Sequence, residues 1–259
     1  MSVEDPGPVD LTLLLQGLAG TYLRNPRRTD GGCARCAGAT NPGFAECFQC
    51  GRIYGDRSPD LAGFMTYAAD GTQAGHLMYG YKARAPLPEH RLVVTLLLQR
   101  ALVSHAACPE RIIGRPITHW TTVPSTKNRP GPHPLRDLVG IFRSEPELVL
   151  HHVAGVASQR KQIVPNLFRT ASRVPPGSHV LVVDDTWTSG GIVLSAVDVV
   201  RAAGASAVTV LCTARWLGFD FMRRPSTGYP GHDLRSQLLR QHVYDLARCP
   251  YTGGRCPVS

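Results

Sequence analysis

The sequence predicts an α/β protein with a doubly wound parallel sheet and a small N-terminal metal module. Three observations support this class: buried-strand patterns alternate with helical patterns, two adjacent acids follow the most apolar run, and two Cys-x-x-Cys pairs precede the alternating region. With 259 residues, the chain is long enough for one large domain and a small addition. We expect an N-terminal helix region at 1–30, a four-cysteine module at 31–56, an α/β domain at 60–220, and a C-terminal helix with a cysteine-containing tail at 221–259.

The individual elements follow from apolar periodicity and from residues that start or stop helices. Asp10 is suited to cap the first helix, Pro134 to open a later one, and Gly204 to end the helix that follows the acid pair. The predicted helices cover 11–23, 92–107, 134–142, 192–203 and 234–246. The predicted strands cover 64–69, 117–123, 148–153, 180–183 and 208–211.

Composition excludes some classes of protein and leaves others open. No apolar run reaches membrane-spanning length, so no membrane partner is expected. Glu4, Asp5 and Asp10 precede the first apolar segment where a secretory signal carries positive charge, which favours a cytoplasmic protein. The net charge of +9 suits anionic ligands or nucleic acid, but the basic residues are scattered and also fit a solvated surface.

Four of the eight cysteines form two pairs with ten residues between them. Cys33, Cys36, Cys47 and Cys50 can each offer a thiolate, and this set predicts a tetrahedral structural zinc site. Disulfides are the alternative, and a redox pair fits less well because neither motif opens a helix beside a βαβ unit. Cys108 and Cys212 are interpreted as core residues, whereas Cys249 and Cys256 are ligands, a loose pair or without a role.

The segment 180–191 is the strongest functional signal. Asp184 and Asp185 follow a Val-rich run at the end of a predicted strand, which is where open α/β sheets bind ligands. Hydroxyls and glycines come next, before a helix whose positive end favours an anion. These residues are Thr186, Trp187, Thr188, Ser189, Gly190 and Gly191. The pattern predicts a cup for a phosphorylated sugar, and the alternative is a helix cap with a glycine turn.

This segment resembles the phosphoribosyl pyrophosphate (PRPP) loop of type I phosphoribosyltransferases. Ile192 departs from the family pattern, which has Thr at that position. The resemblance implies Mg²⁺ bound with PRPP, ribose hydroxyls held by Asp184 and Asp185, and the 5′-phosphate held by the turn. Trp187 would pack either on the acceptor or beneath the loop.

Two further segments complete the predicted site. The loop after the strand at 117–123 offers donors and positive charge for a diphosphate through Ser125, Thr126, Lys127 and Arg129. The irregular stretch 155–173 is either an exposed excursion or a lid. Its Arg160, Lys161, Gln162 and Arg169 lie where the resemblance implies a mobile basic loop, and Lys161 is expected to be catalytic together with the acid pair.

The four-cysteine module ahead of such a domain is similar to the arrangement in the ComF family. Tyr79-Gly80-Tyr81-Lys82 and Trp120-Thr121-Thr122-Val123-Pro124 add to the likeness, which spans about 33–215. The family's Arg-Gly-Phe-Asn-Gln signature is absent, with Arg129-Pro130-Gly131 as a partial match. The resemblance implies transfer of ribose 5-phosphate from PRPP, or binding of PRPP or a nucleoside phosphate without turnover in an accessory protein of DNA uptake. An oligomer is possible.

The sequence assigns no functional role to a histidine. His105, His119, His133, His151, His152 and His179 are interpreted as core or surface residues, and His151 and His152, which end the strand before the 155–173 stretch, are the candidates for an exception.

Overall fold

A four-stranded parallel sheet organises the structure, a computed structural model that describes residues 10–127, 133–218, 238–240 and 243–258. In chain order the strands are β1 (Leu61–Ala68), β2 (His119–Thr122), β3 (His151–His152), β4 (Phe168–Arg169), β5 (His179–Trp187) and β6 (Ala207–Trp216). The sheet has the order β1-β6-β5-β2, and every neighbouring pair is parallel. The predicted α/β class with a parallel sheet is therefore confirmed.

Six α-helices are present within the described residues. They are α1 (Leu11–Ala19), α2 (Gln73–Gly80), α3 (Pro88–Gln99), α4 (Ala107–Ile113), α5 (Pro134–Gly140) and α6 (Gly191–Ala202). Asp10 caps α1 as predicted, because its carboxylate accepts the amide of Thr12 at 2.8 Å. The helix predicted over 92–107 begins earlier, at Pro88, and continues as a π-helical turn over Arg100–Ser104.

Five helices cover one face of the sheet, and α6 covers the other face together with the cysteine module. Leu181 and Val183 of β5 pack with α1–α5 on one face, whereas Val180 and Val182 pack with α6 and the module on the other. This division follows from the alternation of side chains along a strand. A strand covered on both faces needs apolar residues at successive positions, which explains the Val-rich run.

The strand predicted over 148–153 is wrong in extent. The amide of Leu148 donates to the carbonyl of Trp120 at 2.8 Å, and the chain then leaves the edge of β2. Only His151 and His152 form a strand, β3, which pairs antiparallel with β4. Leu148 and Leu150 are buried, so the apolar pattern reflects burial without a long ladder of hydrogen bonds.

Six residues of the helix predicted over 234–246 lie outside the described residues, which omit 219–237 and 241–242, and of the others only Leu238 and Leu239 are helical. Its described end, 243–246, is not helical. Tyr244 anchors residues 243–246, since its amide donates to the carbonyl of Gly20 and its hydroxyl donates to the carbonyl of Met65 at 2.8 Å. Tyr244 and Leu246 thus pack the 243–246 segment against α1 and β1.

No single helix among the described residues is long and apolar enough to cross a membrane. The bent pair Pro88–Ser104 and Ala107–Ile113, with 49° between its parts, meets the length and composition conditions together.

Candidate functional site

The acid pair lies at the carboxyl end of β5, between the ends of β2 and β6. Asp185 is buried and accepts three contacts on one carboxylate oxygen. The hydroxyl of Tyr81 donates at 2.8 Å, the ammonium of Lys82 lies at 2.5 Å, and Nε2 of His133 lies at 3.4 Å. Asp184 is half-buried, and its carboxylate accepts the backbone amide of Asp185 at 2.8 Å.

The two carboxyl groups have opposite electrostatic environments. Burial opposes ionisation of Asp185, but the charge of Lys82 and the contacts of His133 outweigh it and hold the pKa of Asp185 well below its usual range. Burial and the neighbouring charge of Asp185 raise the pKa of Asp184 to about 8. Near neutral pH the pair therefore carries close to one negative charge, which resides on Asp185.

The turn after the acids is shaped by two glycines and a buried ring. Trp187 is 3% exposed and meets Phe64 edge-on with 5.7 Å between ring centroids, so it packs beneath the turn. Gly190 has φ = +99°, and a Cβ there would lie 2.8 Å from the Trp187 ring. Gly190 is the N-cap of α6, so the turn delivers the positive end of that helix to the site.

A backbone segment, 159–162, lies directly on this turn. The amide of Gly191 donates to the carbonyl of Arg160 at 2.9 Å, and the hydroxyl of Ser189 donates to the same oxygen. A Cβ at Gly191 would lie 2.3 Å from the carbonyl oxygen of Gln162 and 2.7 Å from that of Arg160. In this conformation a main-chain oxygen takes the position at the helix terminus that was predicted for phosphate.

Tyr54 of the cysteine module joins the two segments. Its buried hydroxyl donates to the carbonyl of Ser189 at 2.6 Å and lies 3.3 Å from that of Lys161. The basic stretch 155–173, interpreted as an exposed excursion or a lid, is thus in contact with the turn through its backbone. The Lys161 side chain is exposed, and its catalytic role stays a prediction.

The loop after β2 begins at the same edge of the sheet. Thr122 is paired with Val183, and the amide of Val123 donates to the Val183 carbonyl at 3.0 Å, which brings Ser125 to the side of the acid pair. Ser125 is half-buried, and its hydroxyl lies 3.3 Å from both the amide and the carbonyl of the exposed Lys127. Arg129 lies outside the described residues, so the diphosphate role of this loop stays a prediction.

Sequence reasoning did not assign Tyr81, Lys82 or His133 to the site. Tyr81 and Lys82 follow α2, at the same edge of the sheet as the acids, and the order of strands was needed to see this. His133 was interpreted as a core or surface residue, yet it lies next to Asp185 and caps α5 by accepting the Leu135 amide at 3.2 Å.

The four-cysteine cluster lies beside the turn. The sulfur atoms of Cys33, Cys36, Cys47 and Cys50 all lie within 4.8 Å of one another, and none forms a disulfide. Cys36 Sγ and Cys47 Sγ are 3.7 Å apart, close to the roughly 3.8 Å edge of a tetrahedron with Zn–S bonds of about 2.3 Å. The amide of Cys47 donates to the Cys33 sulfur at 3.2 Å. The donor set and its spacing fit a structural zinc ion.

Arg215 on β6 connects this cluster to the turn. It is buried, and its guanidinium donates to the carbonyl of Cys36 at 2.7 Å and to that of Thr188 at 2.7 Å. Together with Tyr54, it fixes the module against the segment that follows the acid pair.

Solved structures similar to this chain are phosphoribosyltransferases, at low identity. Adenine phosphoribosyltransferase from Leishmania tarentolae is 14% identical over 50% of this chain and 72% of that chain, with a TM-score of 0.32. The adenine enzyme from Leishmania donovani is 17% identical over 54% and 69%, with a TM-score of 0.32. Purine phosphoribosyltransferase from Pyrococcus horikoshii Ot3 is 16% identical over 48% and 83%, with a TM-score of 0.30. No protein-family model and no curated protein matches the chain.

Proposed function

We propose that this chain binds PRPP with Mg²⁺ at the carboxyl end of β5 and transfers ribose 5-phosphate to an acceptor, with release of pyrophosphate. The observation that carries the proposal is the direct succession of Asp184 and Asp185, a hydroxyl-bearing turn and the N-terminus of α6 at one sheet edge. In this reaction the bond from the anomeric carbon to the diphosphate oxygen breaks, and the acceptor nucleophile forms a new bond to that carbon and loses a proton.

The acid pair is suited to the ribose and to the developing positive charge. Asp185 is held ionised and immobile by Tyr81 and Lys82, so its charge is already in position when the anomeric carbon becomes electron-poor. Without ligand, Asp184 is protonated over most of the neutral range, and a bound Mg²⁺ would lower its pKa and favour the carboxylate. When bound, Mg²⁺ would be held by these carboxylates and the diphosphate, and would supply charge neutralisation for the leaving group.

The phosphate is proposed to bind at the amide of Gly191 and the hydroxyls of Thr186, Thr188 and Ser189. For this, the Arg160 carbonyl has to leave the Gly191 amide, so binding involves displacement of 159–162. In its displaced position this basic segment, with Arg160 and Lys161, can cover the diphosphate and exclude water. Lys127 and Arg129 are proposed to contact the diphosphate from the opposite side.

Calorimetry with PRPP and Mg²⁺ tests binding. Asp184→Asn preserves the shape of the neutral side chain, but asparagine cannot form the carboxylate that is proposed to bind Mg²⁺. Asp198→Asn on α6 is the matched control, because Asp198 forms an ion pair with Arg57 on a surface away from the acid pair. We expect at least a tenfold loss of affinity in Asp184→Asn and none in Asp198→Asn. Equal affinity in all three proteins would contradict the proposed site.

Turnover is tested separately by pyrophosphate release from PRPP with a panel of bases, amines and hydroxylated acceptors. A second candidate function, a ComF-like accessory protein that binds PRPP or a nucleotide without turnover and handles nucleic acid, is favoured by the occupied Gly191 amide and the net charge of +9. This candidate predicts binding of single-stranded DNA that weakens steeply with salt. PRPP binding without pyrophosphate release, together with such DNA binding, would favour it over the transferase.

The cysteine module is proposed to hold one structural zinc through Cys33, Cys36, Cys47 and Cys50. Few large apolar residues are buried in 31–56, so metal binding would supply much of its folding free energy.

A further inference from the structure

A second cluster of metal-binding side chains lies on the opposite face of the sheet from the four-cysteine module. It contains His105, directly after the π-helical turn that extends α3, Cys108 in the first turn of α4, and Cys249 and Cys256 of the C-terminal segment. One ligand atom from each of the four lies within 4.8 Å of all the others. The fold brings together two pairs, His105 with Cys108 and Cys249 with Cys256, that are more than 140 residues apart in the sequence.

The distances within the cluster suit tetrahedral coordination. Nδ1 of His105 lies 3.6 Å from the sulfur of Cys108 and 3.3 Å from that of Cys256. In a tetrahedral zinc site with bonds of about 2.0–2.3 Å, neighbouring ligand atoms are separated by roughly 3.3–3.8 Å. None of the three thiols forms a disulfide. His105, Cys108 and Cys249 are buried, and Cys256 is exposed, which leaves a route for the ion.

The backbone around Cys249 gives an independent indication. Its amide donates to the carbonyl of Gly254 at 2.7 Å, and the amide of Gly253 donates back to the Cys249 carbonyl at 2.9 Å. The same two bonds form at Cys33, the first cysteine of the other cluster. The amide of Cys33 donates to the carbonyl of Gly38, the fifth residue after it, at 2.7 Å, and the amide of Ala37, the fourth, donates to the Cys33 carbonyl at 2.8 Å.

The backbone angles repeat as well. The fourth residue after each cysteine has positive φ, +52° at Ala37 and +74° at Gly253. The turn that presents Cys33 to the four-cysteine cluster is thus repeated around Cys249. The difference lies in the next ligand: Cys36 lies within the first turn, whereas Cys256 follows two residues after the second turn.

We propose that His105, Cys108, Cys249 and Cys256 bind a second structural zinc ion. Three thiolates and one neutral imidazole form a donor set that zinc favours, and each thiol releases its proton when the ion binds. The imidazole is 5% exposed, and its Nε2 has no hydrogen-bond partner among the described residues, so the thiols are its polar neighbours.

The ion would fix the C-terminal segment along the open edge of the sheet. Next to Cys249, the carbonyl of Pro250 accepts the amide of Phe64 in edge strand β1 at 3.1 Å. The ring of Tyr251 covers Gly63, where a Cβ would lie 2.6 Å from it. The site therefore joins α3 and α4 to the segment that protects β1 from pairing with another chain.

The test is the zinc content of the full chain purified under reducing conditions. We expect two zinc ions per chain in the unchanged protein, one in Cys256→Ser and one in Cys47→Ser, which removes a ligand of the other cluster. Cys212→Ala, a buried cysteine of β6 outside both clusters, is the control and should retain two. Cys256 is exposed, so its replacement should leave folding intact apart from any metal effect.

Cobalt substitution adds a spectroscopic readout of the ligands. Two Co²⁺ ions with sulfur-to-metal charge-transfer bands are expected, and Cys256→Ser should lose one of them. Zinc content that is the same in Cys256→Ser as in the unchanged protein, whether one or two ions per chain, would overturn the proposal. A disulfide between Cys249 and Cys256, found by mass spectrometry of the protein as purified, would also overturn it.

Discussion

The backbone amide of Gly191 is hydrogen-bonded to the carbonyl oxygen of Arg160 at 2.9 Å. This oxygen carries partial negative charge and lies at the positive end of α6, so it interacts favourably with the helix terminus, as a phosphate oxygen would. A phosphate bound as proposed would therefore compete with the 159–162 segment for this amide. The apparent affinity for that phosphate would then fall in proportion to the fraction of molecules in which the segment leaves the amide free.

A methyl group at Gly191 should displace the 159–162 segment. In Gly191→Ala the new Cβ would lie 2.3–2.7 Å from carbonyl oxygens of 159–162, which is too close for either group to stay in place. We expect faster amide hydrogen exchange across 159–166 by mass spectrometry. Gly17→Ala in α1 is the control, because a Cβ there meets nothing within 4 Å. Unchanged exchange in Gly191→Ala would show that the contact is not maintained in solution.

Replacement of Asp184 by Asn should stabilise the protein increasingly as the pH rises. The folded-state pKa of Asp184 is raised to about 8, so its contribution to stability is complete below the unfolded pKa of about 4 and is lost as the pH rises to 8. Asn cannot ionise and avoids this loss. We expect the melting temperature of Asp184→Asn to exceed that of the unchanged protein by several degrees at pH 8.5 and by less at pH 5.

Asp198→Asn is again the control, since Asp198 is a partly exposed member of a surface ion pair. Its melting temperature should differ little from that of the unchanged protein at either pH. A melting-temperature difference for Asp184→Asn that does not grow between pH 5 and pH 8.5 would mean that Asp184 ionises normally in the folded protein. Combined with the predicted loss of PRPP affinity, a gain in stability would indicate that the acid is retained for ligand binding.

Much of the fold follows from local pattern, and the site does so only in part. The run that became β5 needs apolar residues on both faces, and the acids mark where it emerges from the sheet, so this region was predictable. By contrast, Lys82 and His133 reach Asp185 only because β1 and β2 end at the same sheet edge as β5, a long-range property. The strand predicted over 148–153 was too long because Leu148 and Leu150 are buried without being in a strand, and burial alone produces the same apolar pattern.

The position of Arg160 was not predictable for a different reason. Its side chain made 155–173 resemble a basic loop open to diphosphate, but the contact with the turn is made by its main-chain carbonyl. Any residue can supply that group, so sequence carries no signal for it. The second cysteine cluster is similar in this respect, because its ligands are joined by the packing of the C-terminal segment against α3 and α4.

Loss of the Lys82 ammonium should destabilise the fold through the charge it leaves behind. Lys82→Met removes the partner of a buried carboxylate, and we expect a loss of about 2 kcal/mol in the free energy of unfolding. Replacing both residues, in Lys82→Met with Asp185→Asn, should restore part of this loss because no unpaired charge remains. Urea denaturation of the two single variants and the double variant forms the required cycle. Additive losses would mean that the two groups are not coupled.

Arg215 should be necessary for the cysteine module to stay docked on the sheet. Its guanidinium donates to the carbonyls of Cys36 and Thr188 at 2.7 Å each, and a Cβ at Gly38 would lie only 2.0 Å from its Nη2, so it lies directly against the module's backbone. In Arg215→Met these buried carbonyls lose their donors, and we expect the free energy of unfolding to fall by about 3 kcal/mol. Zinc should also leave the four-cysteine cluster faster when a chelator is added. Arg111→Met, at an exposed position of α4, is the control and should change neither quantity. If Arg215→Met loses stability but releases zinc at the unchanged rate, Arg215 supports only the sheet and the module is held by its other contacts.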